Sequence, residues 1–261
     1  MKKRVRKMAF TGLTTVLILT LVSAAQTNVS PPTASPTVNP TGVLICGDSI
    51  MKTLSVALER DLAKRGYSRL AIFTSIGSGL ARLDLLNWHD QLRAQIEREK
   101  PEVVVMHIGP NDNQPIKTAG GTVIQQSVPE WAGEYLQRVK TCLDIMRAGG
   151  VKLVVWIGAP DMRDPNLQAH VDRVNQIFRS AMLDYPIARY FDTQRIFSRT
   201  PGKFTMYVQG RDGMPISVRS SDGMHFNRAG SEILANAVAN MVEEWQTEER
   251  QLHGSRITRN K

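Results

Sequence analysis

Val43-Leu44-Ile45-Cys46-Gly47-Asp48-Ser49-Ile50 decides the fold, because an apolar run ends abruptly in Gly-Asp-Ser and a helical pattern follows at once. A strand buried on both faces reads as a continuous apolar run, the mark of a parallel sheet. The carboxyl ends of such strands are where open α/β sheets gather their ligands. Ser49 is therefore expected at the mouth of a crevice, although a serine at a strand-to-helix turn can equally well cap the helix.

Working outward, residues 51–65 carry Leu54, Leu58 and Leu62 at helical spacing, with Gly66 as the stop. Residues 69–74 form a second strand, followed by the glycine-containing loop Ser75-Ile76-Gly77-Ser78-Gly79-Leu80. A helix over 90–100 stops at Pro101, and the β-branched run 103–108 ends in Gly109-Pro110-Asn111-Asp112. Residues 113–128 are polar and broken by glycine, so they read as a loop rimming the crevice. A helix over 131–147, a strand over 152–157, a helix over 166–183 and a strand over 187–191 follow. Residues 204–208 and 216–219 then flank a glycine-rich excursion of β-hairpin type, and Asn227 caps a last helix over 228–245. This alternation predicts an α/β protein, a three-layer α/β/α sandwich around a parallel sheet.

The totals agree with one α/β domain plus appendages: 261 residues, 42% hydrophobic and 22% charged. The net charge of +9 is concentrated at the ends. Lys2, Lys3, Arg4, Arg6 and Lys7 precede a mostly apolar stretch, and Arg250, Arg256, Arg259 and Lys261 follow Trp245. Without both ends the domain is close to neutral, which argues against a nucleic-acid groove. Residues 1–25 read as an export signal, cleaved near Ala24 or Ala25 or retained as a single membrane anchor. Residues 26–41, rich in Pro, Thr, Ser and Asn, read as a flexible linker, 42–246 as the catalytic domain, and 247–261 as a disordered basic tail. Cys46 and Cys142 are too few for a disulfide scaffold and read as buried free thiols.

Ser221-Asp222-Gly223-Met224-His225-Phe226 stands just before the last helix and supplies a carboxylate and an imidazole three residues apart. A turn that brings Asp222 against the Nδ1–H of His225 fixes the tautomer and leaves Nε2 to take a proton from Ser49. Donors for an oxyanion are available from the Ser49 N–H, the Gly79 N–H and the Asn111 side-chain amide. His89, His107 and His170 show no metal-ligand spacing, so no metal is expected, and nothing in this chemistry calls for a cofactor.

Gly47-Asp48-Ser49, the glycine of Ile76-Gly77-Ser78-Gly79, Gly109-Pro110-Asn111-Asp112 and Asp222-Gly223-Met224-His225 occur in the order of the four blocks of the SGNH, or GDSL-type, hydrolases, which this chain resembles. The resemblance implies a flavodoxin-like five-stranded parallel sheet, Ser49 as nucleophile, His225 as base and Asp222 as its orienter. It also implies Ser49, Gly79 and Asn111 as oxyanion donors, with Gly77 competing with Gly79 for its place. Ser78-Gly79-Leu80-Ala81-Arg82-Leu83-Asp84, Asn87-Trp88 and Asn111-Asp112-Asn113-Gln114 look like the exported bacterial branch called domain of unknown function 459. Pro110 and Leu83 depart from that branch's usual residues and bear on the shape of the acyl pocket. Arg82, Asp84 and Gln114 are candidate substrate contacts, with Arg82 and Asp84 alternatively pairing with each other.

These readings converge on an exported acyl-ester hydrolase acting on an ester such as an O-acetyl group of a cell-envelope glycan. The same acyl-enzyme could instead hand its acyl group to a sugar hydroxyl, making an O-acetyltransferase fed by a membrane partner. A non-catalytic envelope binding module is the reading from another class, and the intact Ser49, Asp222 and His225 argue against it.

Overall fold

The computed structural model describes residues 39–259 except 199, 201 and 211. The expected export signal and most of the expected linker lie outside the described residues. Among the described residues no helix is long and apolar enough to cross a membrane.

Five parallel strands form the central sheet: β1 (Asn39–Gly47), β2 (Tyr67–Thr74), β3 (Val103–His107), β6 (Leu153–Ile157) and β7 (Ala188–Phe191), in the order β2-β1-β3-β6-β7. All residues of β3 and β6 are buried, which is why Val-Val-Val-Met-His and Leu-Val-Val-Trp-Ile read as continuous apolar runs. Helices α1 (Ser49–Lys64) and α6 (Arg228–Arg259) pack together, while α2 (Trp88–Glu99), α3 (Pro129–Ala148) and α4 (Pro165–Met182) form a second row. The chain steps from β1 outward to β2 and then back across β1 to β3. Right-handed crossovers on either side of that reversal put the two rows on opposite faces of the sheet and open a crevice between the ends of β1 and β3. Gly47 pairs in register with His107, so the two strands end level. The residues that follow them, Ser49 and Asn111, rise from the same rim.

The structure corrects several sequence boundaries. The last three residues assigned to the linker belong to β1, whose Asn39 pairs with Tyr67 on β2. Backbone pairing holds them there, so no apolar pattern announces them. The loop 113–128 contains a small hairpin, β4 (Ile116–Lys117) with β5 (Val123–Ile124), anchored by the fully buried Ile116. Two residues per strand are too few for a period to show. A short helix, α5 (Thr193–Phe197), was likewise below the length at which helical spacing is legible. The expected hairpin forms as β8 (Tyr207–Gln209) and β9 (Pro215–Ser217). The last helix continues through the expected disordered tail to Arg259. Residues 246–252 are mostly strong helix formers, and Arg189 on β7 reaches Glu248 at 3.4 Å. Cys46 and Cys142 are free and buried, and burial pushes the Cys46 thiol up to about 12 and Cys142 higher still, so both are inert as thiolates.

Candidate active site

Ser49 is the first residue of α1, and the residue that caps the helix is Asp48. Its Oδ1 accepts from Ile50 N at 2.9 Å and Met51 N at 3.5 Å, which satisfies two of the N–H groups that a helix start leaves open. The Asp48 carbonyl accepts from Lys52 N at 2.9 Å, so the Ser49 N–H, on the other side of the same trans peptide, points out of the helix end. Asp48 Oδ1 also meets His107 Nδ1 at 3.0 Å, and Asp48 N donates to the His107 carbonyl at 3.1 Å. Both side chains are fully buried. The turn that carries Ser49 is thus laced to the end of β3 before it reaches the surface.

Asp222 and His225 occupy a turn in front of α6. Asp222 Oδ1 accepts from Met224 N at 2.7 Å and His225 N at 3.0 Å, while Oδ2 lies 2.8 Å from His225 Nδ1. One carboxylate oxygen shapes the turn and the other orients the ring. His225 Nε2 then lies 2.8 Å from Ser49 Oγ. With Nδ1 donating to the carboxylate, Nε2 is the acceptor and the Ser49 hydroxyl donates to it. Burial disfavours the Asp222 carboxylate, but the two backbone N–H groups and the His225 ring outweigh it and hold the carboxyl down to about 2. It is ionised throughout the neutral range and able to steady an imidazolium.

A platform built after β6 carries this turn. Arg163 N donates to the Gly223 carbonyl at 3.1 Å and Arg163 Nη1 to the Ser221 carbonyl at 2.7 Å. Gly223 has φ +77° and its α-carbon faces Arg163 so closely that a Cβ would lie 2.5 Å from the Arg163 Cβ. Arg219, buried between Phe204 and Phe226, donates from Nη2 to the carbonyls of Asp161 and Met224, each at 2.8 Å. Asp161 in turn accepts from Gln168, Gln194, Ser198 and the Gly202 N–H. None of these supports was marked by sequence reasoning. An arginine two residues beyond a strand offers no periodic signal of its burial.

The loop after β2 is tied to the end of β1 and to the Asn111 turn. Ser75 N donates to the Gly47 carbonyl at 2.9 Å, and Asn111 Nδ2 donates to the Ser78 carbonyl at 3.0 Å. The Ser78 carbonyl and the Gly79 N–H share one peptide, so the Asn111 contact sets the direction of that N–H. Gly79 is packed so tightly on the Asp112 carboxylate that a Cβ would overlap it, whereas the space beside Gly77 is open. Gly77, with φ +72°, serves the turn, and Gly79 serves the close approach. Pro110 sits at the start of a 3-10 turn, Pro110–Asp112, where its missing N–H costs nothing, and Leu83 packs against the core. Gln114 Nε2 donates to the Asn111 carbonyl at 2.7 Å. Arg82 pairs with Asp84 at 2.8 Å through Nε, and its bond holds the Asp84 carboxyl down to about 2. Lys117 lies 3.8 Å from Asp84. Among the described residues no group of three or more His, Cys, Asp or Glu side chains could hold a metal ion.

His170, on α4, supports the Gly109 turn from below. Its Nε2 lies 2.9 Å from the Gly109 carbonyl and its Nδ1 2.8 Å from Gln126 Nε2, an arrangement that suits the neutral ring with Nε2–H. Burial lowers its pKa to about 4 from 6.5. The unfolded chain therefore binds this proton first, and His170 contributes stability that is complete above about 6.5 and lost as pH falls towards 4. Asp112 acts in the opposite sense, because burial raises its carboxyl from 3.8 to about 6, so its contribution is lost as pH rises across that interval. Comparing wild type with His170→Gln isolates the histidine. The stability gap between them, measured by urea unfolding, should narrow by about 3 kcal/mol between pH 7 and pH 4. A gap that stays constant would show that His170 is not held neutral.

A five-stranded parallel sheet in this order, covered by helices, is the fold this chain shares with a solved SGNH hydrolase. The chain belongs to the family described as Protein of unknown function (DUF459), whose family model matches residues 42–241. A protein from Slackia heliotrinireducens assigned to the SGNH hydrolases superposes with a TM-score of 0.51 at 17% identity, covering 77% of this chain and 98% of that one. A family two carbohydrate esterase from Clostridium thermocellum, solved with cellohexaose, gives a TM-score of 0.51 at 12% identity over 82% of this chain and 67% of that one. At these identities the likeness is one of fold. No curated protein matches the chain by sequence.

Proposed function

We propose that the protein is a serine acyl-ester hydrolase in which Ser49 attacks an ester carbonyl, His225 takes the hydroxyl proton and Asp222 steadies the resulting imidazolium. The reading rests on the hydrogen-bonded chain from Ser49 Oγ through His225 to Asp222, with 2.8 Å at each link. The tetrahedral oxyanion is received by the N–H groups of Ser49 and Gly79 and the Asn111 amide. His225 returns its proton to the leaving alcohol, and water, deprotonated by the same ring, releases the acid.

The substrate class is an acylated glycan of the cell envelope, reached by export through the basic and apolar leader of residues 1–25. An open site suits such a polymer: the His225 side chain is 27% exposed and Asp222 49%. The reading is tested by labelling with a fluorophosphonate and by turnover of a panel of esters, short acyl to long. The adduct should map to Ser49, and an acetylated glycan should release acetate. Acetyl transfer to an added glycan acceptor in place of acetate release would convert the hydrolase into a transferase with the same acyl-enzyme. Absence of labelling at Ser49, together with unchanged turnover in Ser49→Ala, would sink both. Asn111→Ala is expected to lower kcat by about 10²–10³ with little change in KM. A nearly silent Asn111→Ala would remove that amide from the oxyanion site.

A further inference from the structure

Residues 75–87, the loop that carries Gly79, contain neither helix nor strand, so their backbone groups must find partners elsewhere. At Leu80 and Ala81, both fully buried, the partners on the two sides of the chain are opposite charges. On the N–H side, Asp112 Oδ1 accepts from Ala81 N at 2.6 Å, the Leu80 N–H adds to the hold, and Tyr135 Oη donates to Oδ2 at 2.7 Å. On the C=O side, Arg138 Nη1 donates to the Leu80 carbonyl at 2.6 Å and the Ala81 carbonyl at 3.0 Å. Its Nη2 donates to the Lys117 carbonyl at 2.8 Å, and its Nε to Glu134 at 2.9 Å. Asp112 is fully buried and Arg138 is 5% exposed.

We propose that Asp112 and Arg138 are positioning residues that clamp the loop from both sides and so fix the Ser78–Gly79 peptide and the Asn111 turn, which carry two of the proposed oxyanion donors. This rests on the reading of Ser49 as nucleophile with those two groups as oxyanion donors. Three observations carry it. Asp112 adjoins Asn111 in sequence, so one turn supplies both a donor and the clamp. The Gly79 α-carbon rests directly on the Asp112 carboxylate, so any drift of that carboxylate moves the Gly79 peptide. Finally, both buried charges hydrogen-bond backbone groups of an irregular loop, where apolar side chains would pack at lower desolvation cost but could not direct peptide dipoles. Trp131 stacks on Tyr135 at 4.7 Å and donates from Nε1 to the Gln114 carbonyl at 2.9 Å, which fixes the clamp to the same turn.

The test compares wild type, Ser49→Ala, Asp112→Asn, Arg138→Lys, Asn111→Ala and the double variant Asp112→Asn with Asn111→Ala, using full-length protein and an activated acetyl ester. Circular dichroism establishes that each is folded. Asp112→Asn is expected to lower kcat about 10- to 100-fold with KM within about two-fold, because the ground state is bound as before. In the Asn111→Ala background the same change should cost less, since one of the two donors it positions is already gone and only the Gly79 N–H remains to be displaced. Arg138→Lys, which keeps the charge but loses the fork, should fall on the same kcat-only line. Folded Asp112→Asn or Arg138→Lys protein with wild-type kcat would overturn the clamp, as would losses that multiply fully in the double variant. Ser49→Ala turning over at the wild-type rate would instead overturn the hydrolase reading, and the clamp with it.

Discussion

Ser49→Ala and His225→Ala should each lower kcat for ester turnover by about 10⁴-fold or more, with the fold intact. In the proposed mechanism the nucleophile and base act as one unit: without the hydroxyl there is no acyl-enzyme, and without Nε2 the hydroxyl stays protonated at neutral pH. The two losses should therefore be similar in size and far from multiplicative when combined. Residual catalysis would come from binding and the oxyanion donors alone. Asp222→Asn keeps the shape of the turn but removes the charge, so it should fall between the wild type and these variants. Steady-state kinetics on a short acyl ester measures all three. A His225→Ala enzyme within ten-fold of wild type would place the base elsewhere.

Gly47→Ala carries the second large effect, on stability. A Cβ at this position would overlap the His107 backbone carbonyl and come within 2.8 Å of the Met51 Cβ, at a φ of +154°. The carbonyl cannot retreat freely, since it accepts from Asp48 N at 3.1 Å and its strand is buried in the middle of the sheet. Overpacking and backbone strain together should cost about 3–5 kcal/mol. For a domain of this size that corresponds to a fall in Tm of roughly 10 °C. Because the displaced bond anchors Asp48, Ser49 would also move relative to His225, so surviving folded enzyme should lose activity as well. A Tm within a degree of wild type would show that the β1–β3 junction is looser than these contacts imply.

The legible parts of the molecule are those in which local pattern and tertiary role coincide. The middle strands are buried on both faces, so their burial is written as unbroken apolar runs. Asp222 and His225 are three residues apart and shape their own turn, so their mutual geometry is nearly a local property. Asn227 offers another local signal: its Oδ1 accepts from Gly230 N at 3.0 Å, as an N-cap should. By contrast, Ser49 looked as much like a cap as a functional serine, and it took the structure to assign the cap to Asp48. The hairpin of β4 and β5 was hidden by its length. The continuation of α6 was hidden because exposed polar residues describe a helix surface and a coil almost equally well.

Arg138 marks the boundary between the two kinds of information. It lies on the buried stripe of α3 with Trp131, Tyr135 and Cys142. A charged residue on an apolar stripe is a readable anomaly, but nothing near it in sequence says that its partners are the carbonyls of Leu80 and Ala81. Residue order settled the α/β class, the strand ends and the four blocks, because these depend on burial period and short-range turns. The meeting of Ser49 with His225, 176 positions away, and the seating of Gly79 on Asp112 were decided only by the tertiary structure. The reason is physical: hydrogen bonds of about 3 Å between distant segments depend on how the strands register and where the chain reverses across the sheet, and no local pattern encodes those two quantities.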